Sequence, residues 1–192
     1  GVRAETMPCF EDYLVDVYEE LYKKPGAKVL LEGAQGFGLD IDHGDYPYVT
    51  SSHCTSASAL LTGIPPQAID RVWGVAKIYE TYVGAKKFES DEEVFKIIRN
   101  IGKEYGATTG RPRQCNWLDW DFLEKSVKVN GVTDLVFNKM DVLRQINKWT
   151  LIHKGKKITF DTEDKMKEWI VQKANLLPYM PNVYFSGDPN GL

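Results

Sequence analysis

The chain has 192 residues, 43% of them hydrophobic and 12% aromatic, enough apolar material for a sizeable core and too much for a disordered chain. Acids and bases are interspersed and leave a formal net charge of -3, so neither a nucleic-acid partner nor a polybasic membrane patch is expected. No apolar stretch has the length of a membrane span, and Cys9, Cys54 and Cys115 are odd in number without a C-x-x-C pair, so a reducing, cytoplasmic setting is the expectation.

In "EDYLVDVYEELYKK" the spacing of Leu14, Val17 and Leu21 predicts an amphipathic helix from Phe10 to Lys23. "AKVLLEGA" has its apolar residues in one run, which predicts a strand buried on both faces. A glycine-rich loop from Gly33 to Ser52 follows. "ASALLTG" reads as a short helix stopped by Gly63 and by Pro65-Pro66, and "RVWGVAKIYETYV" as one strand. The helix in "SDEEVFKIIRNIGKEYG" is expected to be capped by Ser90, striped by Val94, Ile97, Ile98 and Ile101, and closed by Gly106. The polar loop "ATTGRPRQCN" leads to a helix from Trp117 to Asn130 and then to the strand "TDLVF". "WTLI" and "KITF" flank "HKGKK" as a hairpin of open turn type; a helix in "DTEDKMKEWIVQKAN" and a last strand, "NVYFSG", complete the chain. Strands alternating with helices predict an α/β fold, a largely parallel sheet with flanking helices.

In such sheets ligands gather where strands end, so the loops after strands are the candidate sites. The first contains Asp40, Asp42, His43 and Asp45, but the glycine and glutamate of a calcium loop are missing, and no metal site is assigned there. Gly33, Gly36 and Gly38 do not make a dinucleotide fingerprint, and no Walker A sequence occurs. Gln35, between glycines, offers an amide for hydrogen bonding, and Thr50 and Ser51 offer hydroxyls to a phosphate. Thr108, Thr109, Arg111 and Arg113 suit a small carboxylate or a phosphate, or simply an exposed polar loop. In "FNKMDVL", Asn138 and Asp141 suit a turn with Asp141 as a helix N-cap; held rigidly, Asp141 could instead accept two hydrogen bonds from the N1 and N2 edge of guanine.

Taken in order, "LLEGAQGFGLDIDHGDYPYVTSS", "YVGA", "YGATTGRPRQCNWLD", "FNKMDVL" and "SGDP" resemble the adenylosuccinate synthetase family from its middle to near its C-terminus. The resemblance implies an incomplete half of that family's P-loop-NTPase-related fold, with residues 1–192 as the central and C-terminal part of one ligase domain. The N-terminal half, with the catalytic glycine loop, the general base and most of the Mg2+ ligands, would be absent, and this chain alone inactive. The reaction implied joins L-aspartate to C6 of a 6-oxopurine nucleotide after an NTP phosphorylates its 6-oxygen, in a homodimer. Gln35 would be catalytic and hold the purine, with Thr50 on the substrate phosphate and the Val83 backbone on the ribose. Thr108, Thr109 and Arg111 would bind aspartate. Arg113, Lys139, Asp141, Ser186 and Gly187 would bind the donor, GTP or ATP.

Two departures bear on substrate. Tyr82 and "AKKF" stand where the family carries arginine and a glycine-proline-phenylalanine run, and Gln114 and Asn116 also break the pattern. These features are similar to the phage branch, the 2-aminoadenylosuccinate synthases, which leaves IMP and dGMP as alternative acceptors. The rival expectation is a guanine-nucleotide-binding module without ligase chemistry. On the ligase expectation, Gln35, Arg111 and Asp141 converge from one rim of one sheet on a shared cavity.

Overall fold

The computed structural model describes residues 14–188. Two small sheets share one hydrophobic core. Strands β1 (Trp73–Lys77), β4 (Asp134–Asn138) and β7 (Asn182–Phe185) form a parallel sheet in the order β1-β4-β7. Strands β2 (Tyr79–Tyr82), β3 (Gln114–Asp119), β5 (Trp149–His153) and β6 (Lys156–Phe160) form a mixed sheet in the order β2-β3-β5-β6, in which only β3 and β5 run parallel. The helices are α1 (Val17–Tyr22), α2 (Val94–Ile101), α3 (Trp120–Asn130), α4 (Met140–Ile146) and α5 (Glu163–Ala174).

Strand β4 is the centre of the parallel sheet, and Leu135, Val136 and Phe137 are all buried, as a strand covered on both faces requires. Around it pack Ile78, Phe95, Trp117, Met140, Leu143, Leu151 and Ile170, with Phe95 meeting Trp117 edge-on at 5.2 Å. Each such side chain contributes about 1.5–3 kcal/mol by leaving water. Helix ends follow local chemistry: Asp119 caps α3 and Thr162 caps α5 through side-chain oxygens, while Gly131 closes α3 at φ 61°. The hairpin turns on Lys154 and Gly155, both at positive φ, the signature of a tight two-residue turn.

Several expectations are corrected. The run 27–34 is not a strand: it has no regular structure and is exposed, Leu30 to 88%, because no strand among the described residues lies beside it. The single strand expected over 71–83 is two. Ile78 is fully buried and donates its N–H to Asn138 O at 3.0 Å, and there the chain leaves one sheet for the other. Helix α2 starts at Val94 behind Glu93 rather than at Ser90, whose hydroxyl instead bonds Glu92, and it closes at Gly102 rather than Gly106. Its buried face holds Phe95, while Ile97 of the expected stripe is half exposed. Trp117 belongs to β3, not to a helix; alternation of part-buried and buried residues over 114–117 shows the strand period. "ASALLTG" folds as a 3-10 helix, Ser56–Thr62, ended by Gly63 at φ 94°. Of the expected N-terminal helix, residues 17–22 are helical behind Asp16, and residues 10–13 lie outside the described part.

Candidate active site

Parallel pairing sets the carboxyl ends of β1, β4 and β7 side by side, with Lys77 opposite Asn138 and Phe137 opposite Phe185. The turns that leave β4 and β7 therefore meet. Ser186 N donates to Phe137 O at 2.8 Å, and Met140 N donates to Ser186 O at 3.2 Å. Lys139 makes the exit from β4 in the left-handed conformation, φ 65°, so Lys139 and not Asp141 occupies the cap position of α4. Asp141, half-buried, sits in the first turn. Gly187 completes the group, since a Cβ there would collide with Arg144 Nη1 and come within 3.2 Å of Asp141 N. Four of the predicted residues, Lys139, Asp141, Ser186 and Gly187, are thus brought together.

Beside them lies a buried carboxylate that the sequence did not single out. Glu104, 2% exposed, accepts from Lys77 Nζ at 2.7 Å and Arg113 Nη1 at 3.0 Å on one oxygen, and from Tyr79 Oη at 2.7 Å on the other. Burial alone would raise its pKa, but the Lys77, Tyr79 and Arg113 partners outweigh it and hold the carboxyl below its ordinary value. The same burial, with the Glu104 charge beside it, pushes the Tyr79 hydroxyl upward. Lys139 Nζ donates to Gly102 O at 3.2 Å, a cation on the last carbonyls of α2.

The loop over residues 104–113 is closed at its base by Arg113 N to Glu104 O at 3.0 Å and Gly106 N to Arg111 O at 2.8 Å. Thr108, Thr109 and Arg111 stand at its exposed tip, with Arg111 N donating to Thr109 Oγ1 at 3.4 Å. Arg113 alone of the four turns back into the molecule, toward Glu104.

The glycine-rich loop is a separate, tightly bonded piece. The buried Asp40 carboxylate accepts from the backbone N–H groups of Asp42 at 3.0 Å, His43 at 2.9 Å and Cys54 at 2.6 Å. Burial opposes its ionisation, and these three bonds more than offset that and lower its pKa. Thr50 N donates to Leu39 O at 2.7 Å, which fixes half-buried Thr50. Gln35 is exposed at φ 59°, and no hydrogen bond holds its amide among the described residues. Asp42 and His53 come near Asp40, ligand atoms within 4.8 Å. Asp40 is already engaged by three N–H groups, so the trio does not fit magnesium, which wants an oxygen octahedron.

Residues outside the predicted set join this loop to the rest. Lys86 pairs with Asp45 and lies over the rings of Tyr82 and Phe88, at 5.6 and 5.7 Å. Gln114, next to Arg113, donates to Lys86 O at 2.7 Å and Gly84 O at 3.3 Å, and accepts from Phe88 N at 2.8 Å and Glu89 N at 3.1 Å. Asn116 adds a bond to Phe88 O at 2.9 Å. Gln114 and Asn116 were visible in the sequence as departures from a pattern, and their role is to hold the turn that begins at Val83. Two surface hollows lie elsewhere, over Asp121, Glu124, Lys125, Lys128 and Val129 and over residues 89–93 with Lys96, and neither is lined by Gln35, Arg111 or Asp141, from which a shared cavity was expected.

A parallel sheet with its polar, glycine-bearing turns at the carboxyl ends is the layout of the ligand-binding α/β class. The adenylosuccinate synthetase family model matches residues 3–178, and the chain belongs to that family. Adenylosuccinate synthetase of Syntrophomonas wolfei is 52% identical over 136 residues, 68% of this chain and 32% of that protein. The enzyme of Xanthomonas campestris is 53% identical over 129 residues, 66% of this chain and 30% of that protein. The chain thus spans about a third of the length of these relatives. Among solved structures, a fully ligated adenylosuccinate synthetase from Plasmodium falciparum superposes with a TM-score of 0.79 at 28% identity, over 94% of this chain and 53% of that one. The succinoaminodeoxyadenylate synthetase of cyanophage S-2L, solved with dGMP and with dATP as energy donor, matches with a TM-score of 0.54 at 19% identity, over 82% of this chain and 43% of that one, a likeness of fold alone. Membership of a ligase family weighs against the stand-alone guanine-nucleotide module. No helix among the described residues is long and apolar enough to cross a membrane.

Proposed function

We propose that the chain serves a C–N ligase that forms adenylosuccinate from IMP and L-aspartate with GTP as donor. The terminal phosphoryl group of the donor passes to the 6-oxygen of the purine and leaves a nucleoside diphosphate. The aspartate amine then attacks C6, loses its proton, and inorganic phosphate departs with the former 6-oxygen. Phosphorylation converts a poor leaving group into a good one, and the protein's share is positioning and charge stabilisation.

The observation that carries this reading is the meeting of the β4–α4 turn with the turn after β7, beside the arginine-bearing loop. In it Asp141 reads the guanine edge, Lys139 lies along the base, and Ser186 and Gly187 close over it. Arg113 reaches the donor, while Thr108, Thr109 and Arg111 hold the carboxylates of aspartate. Gln35 meets the 6-oxygen, Thr50 the acceptor phosphate and the Val83 backbone the ribose. Magnesium, when bound, would neutralise the donor phosphates; none of its ligands is assigned to this chain. The enzyme works as a homodimer in the cytoplasm.

IMP is favoured over dGMP because the relatives named adenylosuccinate synthetase match at 52–53% identity. The departures at Tyr82, Gln114 and Asn116 keep dGMP as the alternative to be tested. Full-length protein given aspartate, each of IMP, GMP and dGMP, and GTP or ATP should release phosphate with IMP and GTP. Turnover with dGMP and ATP instead would move the assignment to the other branch. Arg111→Leu should raise KM for aspartate far more than for either nucleotide, and equal changes in all three would remove Arg111 from its role.

A further inference from the structure

We propose that Glu104 is a positioning residue for this ligase, aiming Arg113 at the anionic groups of the donor nucleotide and joining the arginine loop to the base-reading turn. The proposal rests on the ligase reading above and adds to it a residue that touches no substrate.

Three elements converge on this carboxylate. Lys77 ends β1, Tyr79 begins β2, and Arg113 closes the loop whose tip carries Thr108 and Arg111. Glu104 engages a single nitrogen of the Arg113 guanidinium, Nη1, at 3.0 Å. Among the described residues Nε and Nη2 have no hydrogen bond, and the Arg113 side chain is 34% exposed, so one edge of the fork is left unengaged. A guanidinium bound on one edge and open on the other is pre-aimed at an anion. The Arg113 backbone is also fixed, its N–H on Glu104 O at 3.0 Å and its carbonyl accepting from Arg99 Nε at 2.6 Å.

Charge gives the cluster its ligand class. Lys77 and Arg113 both bond the Glu104 carboxylate, and a third cation, Lys139, is tied at 3.2 Å to Gly102 O, two residues before it. Glu104 lets Lys77 and Arg113 sit together, and the net positive balance favours a polyphosphate over a neutral ligand. Because Lys139 leads into Asp141, the same hub fixes how far the base-reading turn stands from the Arg113 fork.

The test is steady-state kinetics on full-length protein. Glu104→Gln keeps an acceptor for Tyr79 but removes the charge; KM for the donor should rise about tenfold, with kcat and KM for aspartate within twofold. Tyr79→Phe removes a bond of the same hub without touching Arg113, so it should lower Tm and leave the donor KM unchanged. In an Arg113→Leu background, Glu104→Gln should have no further effect on donor KM, the non-additivity expected of a residue that acts through another. Multiplicative effects, or equal changes in every constant, would overturn the proposal. Glu104→Asp, which keeps the charge, should show the same donor-selective loss in smaller measure; failure of both Glu104 variants to fold would assign the carboxylate to the core and overturn it too. A wild-type protein without ligase activity would remove the underlying reading along with it.

Discussion

Arg144 and Glu163 form a two-pronged pair, Nε to Oε2 and Nη2 to Oε1 both at 2.7 Å, and the remaining guanidinium nitrogen lies against Gly187. The first turn of α5 thus holds the residue that crowds the end of β7. The Arg144 guanidinium, with Lys167 beside it, depresses the Glu163 carboxyl from 4.5 to about 2. A carboxyl depressed in the folded state contributes stability above its unfolded pKa and loses it as pH falls. Arg144 is 47% exposed, so solvent reduces the contribution to about 1 kcal/mol. Between pH 4.5 and 2 the urea midpoint of Glu163→Gln should fall less steeply than that of the parent. Parallel curves would show that the pair contributes nothing.

Glu80 behaves in the opposite sense. Burial, with Asp119 adding to it, pushes its carboxyl from 4.5 up to about 7, although Asp119 N donates to it at 3.2 Å. A carboxyl raised in the folded state destabilises the protein as pH climbs through that window, because ionisation must occur in a dry place. Glu80→Gln keeps the acceptor for Asp119 N and removes the charge. It should stabilise the protein by about 2–3 kcal/mol at pH 8 and leave stability at pH 4 unchanged. Thermal melts at the two pH values decide it, and equal Tm changes at both would refute the assignment.

Gln114 spends its whole amide on the segment from Gly84 to Glu89. Gln114→Ala releases two backbone N–H groups and two carbonyls at once. Hydrogen exchange at Phe88 and Glu89 should speed up by about tenfold, while β4 amides keep their protection. Unchanged exchange at both positions would mean that the turn is held by something else, such as the Lys86–Asp45 pair.

Cys115 is fully buried, and burial pushes its thiol up to about 11, so almost no thiolate exists at neutral pH. Cys54 is part-exposed. Alkylation of native protein followed by peptide mass mapping should therefore modify Cys54 well before Cys115, and denaturant should abolish the difference. Early labelling of Cys115 would contradict the packing of β3.

The parallel strand "TDLVF", the final strand, the hairpin and α5 were legible because their apolar period and their caps agree with the fold they enter. The position of the turn after β4 was legible for a related reason: Lys139 and Asp141 follow a strand directly, so finding the strand finds the turn. Strand β3 was hidden because "QCNWLD" alternates over too few residues to stand out from the polar loop before it. The run Val29 to Leu31 misled, since an apolar run says that a segment can be buried and not what will bury it. Glu104 was invisible for a deeper reason. "GKEYG" looks like a solvated turn, and only the tertiary meeting of Lys77, Tyr79 and Arg113 makes its glutamate a buried hub.

Among the described residues, strand β1 is one of the two outer members of its sheet, with Trp73 and Val75 exposed along it. A bare border of that kind has a row of unspent amide groups and no charge to deter a neighbour until Lys77. Handled by itself at high concentration, the polypeptide should therefore recruit further copies by strand addition, and a lysine at Val75 is the gatekeeper that would keep it dispersed.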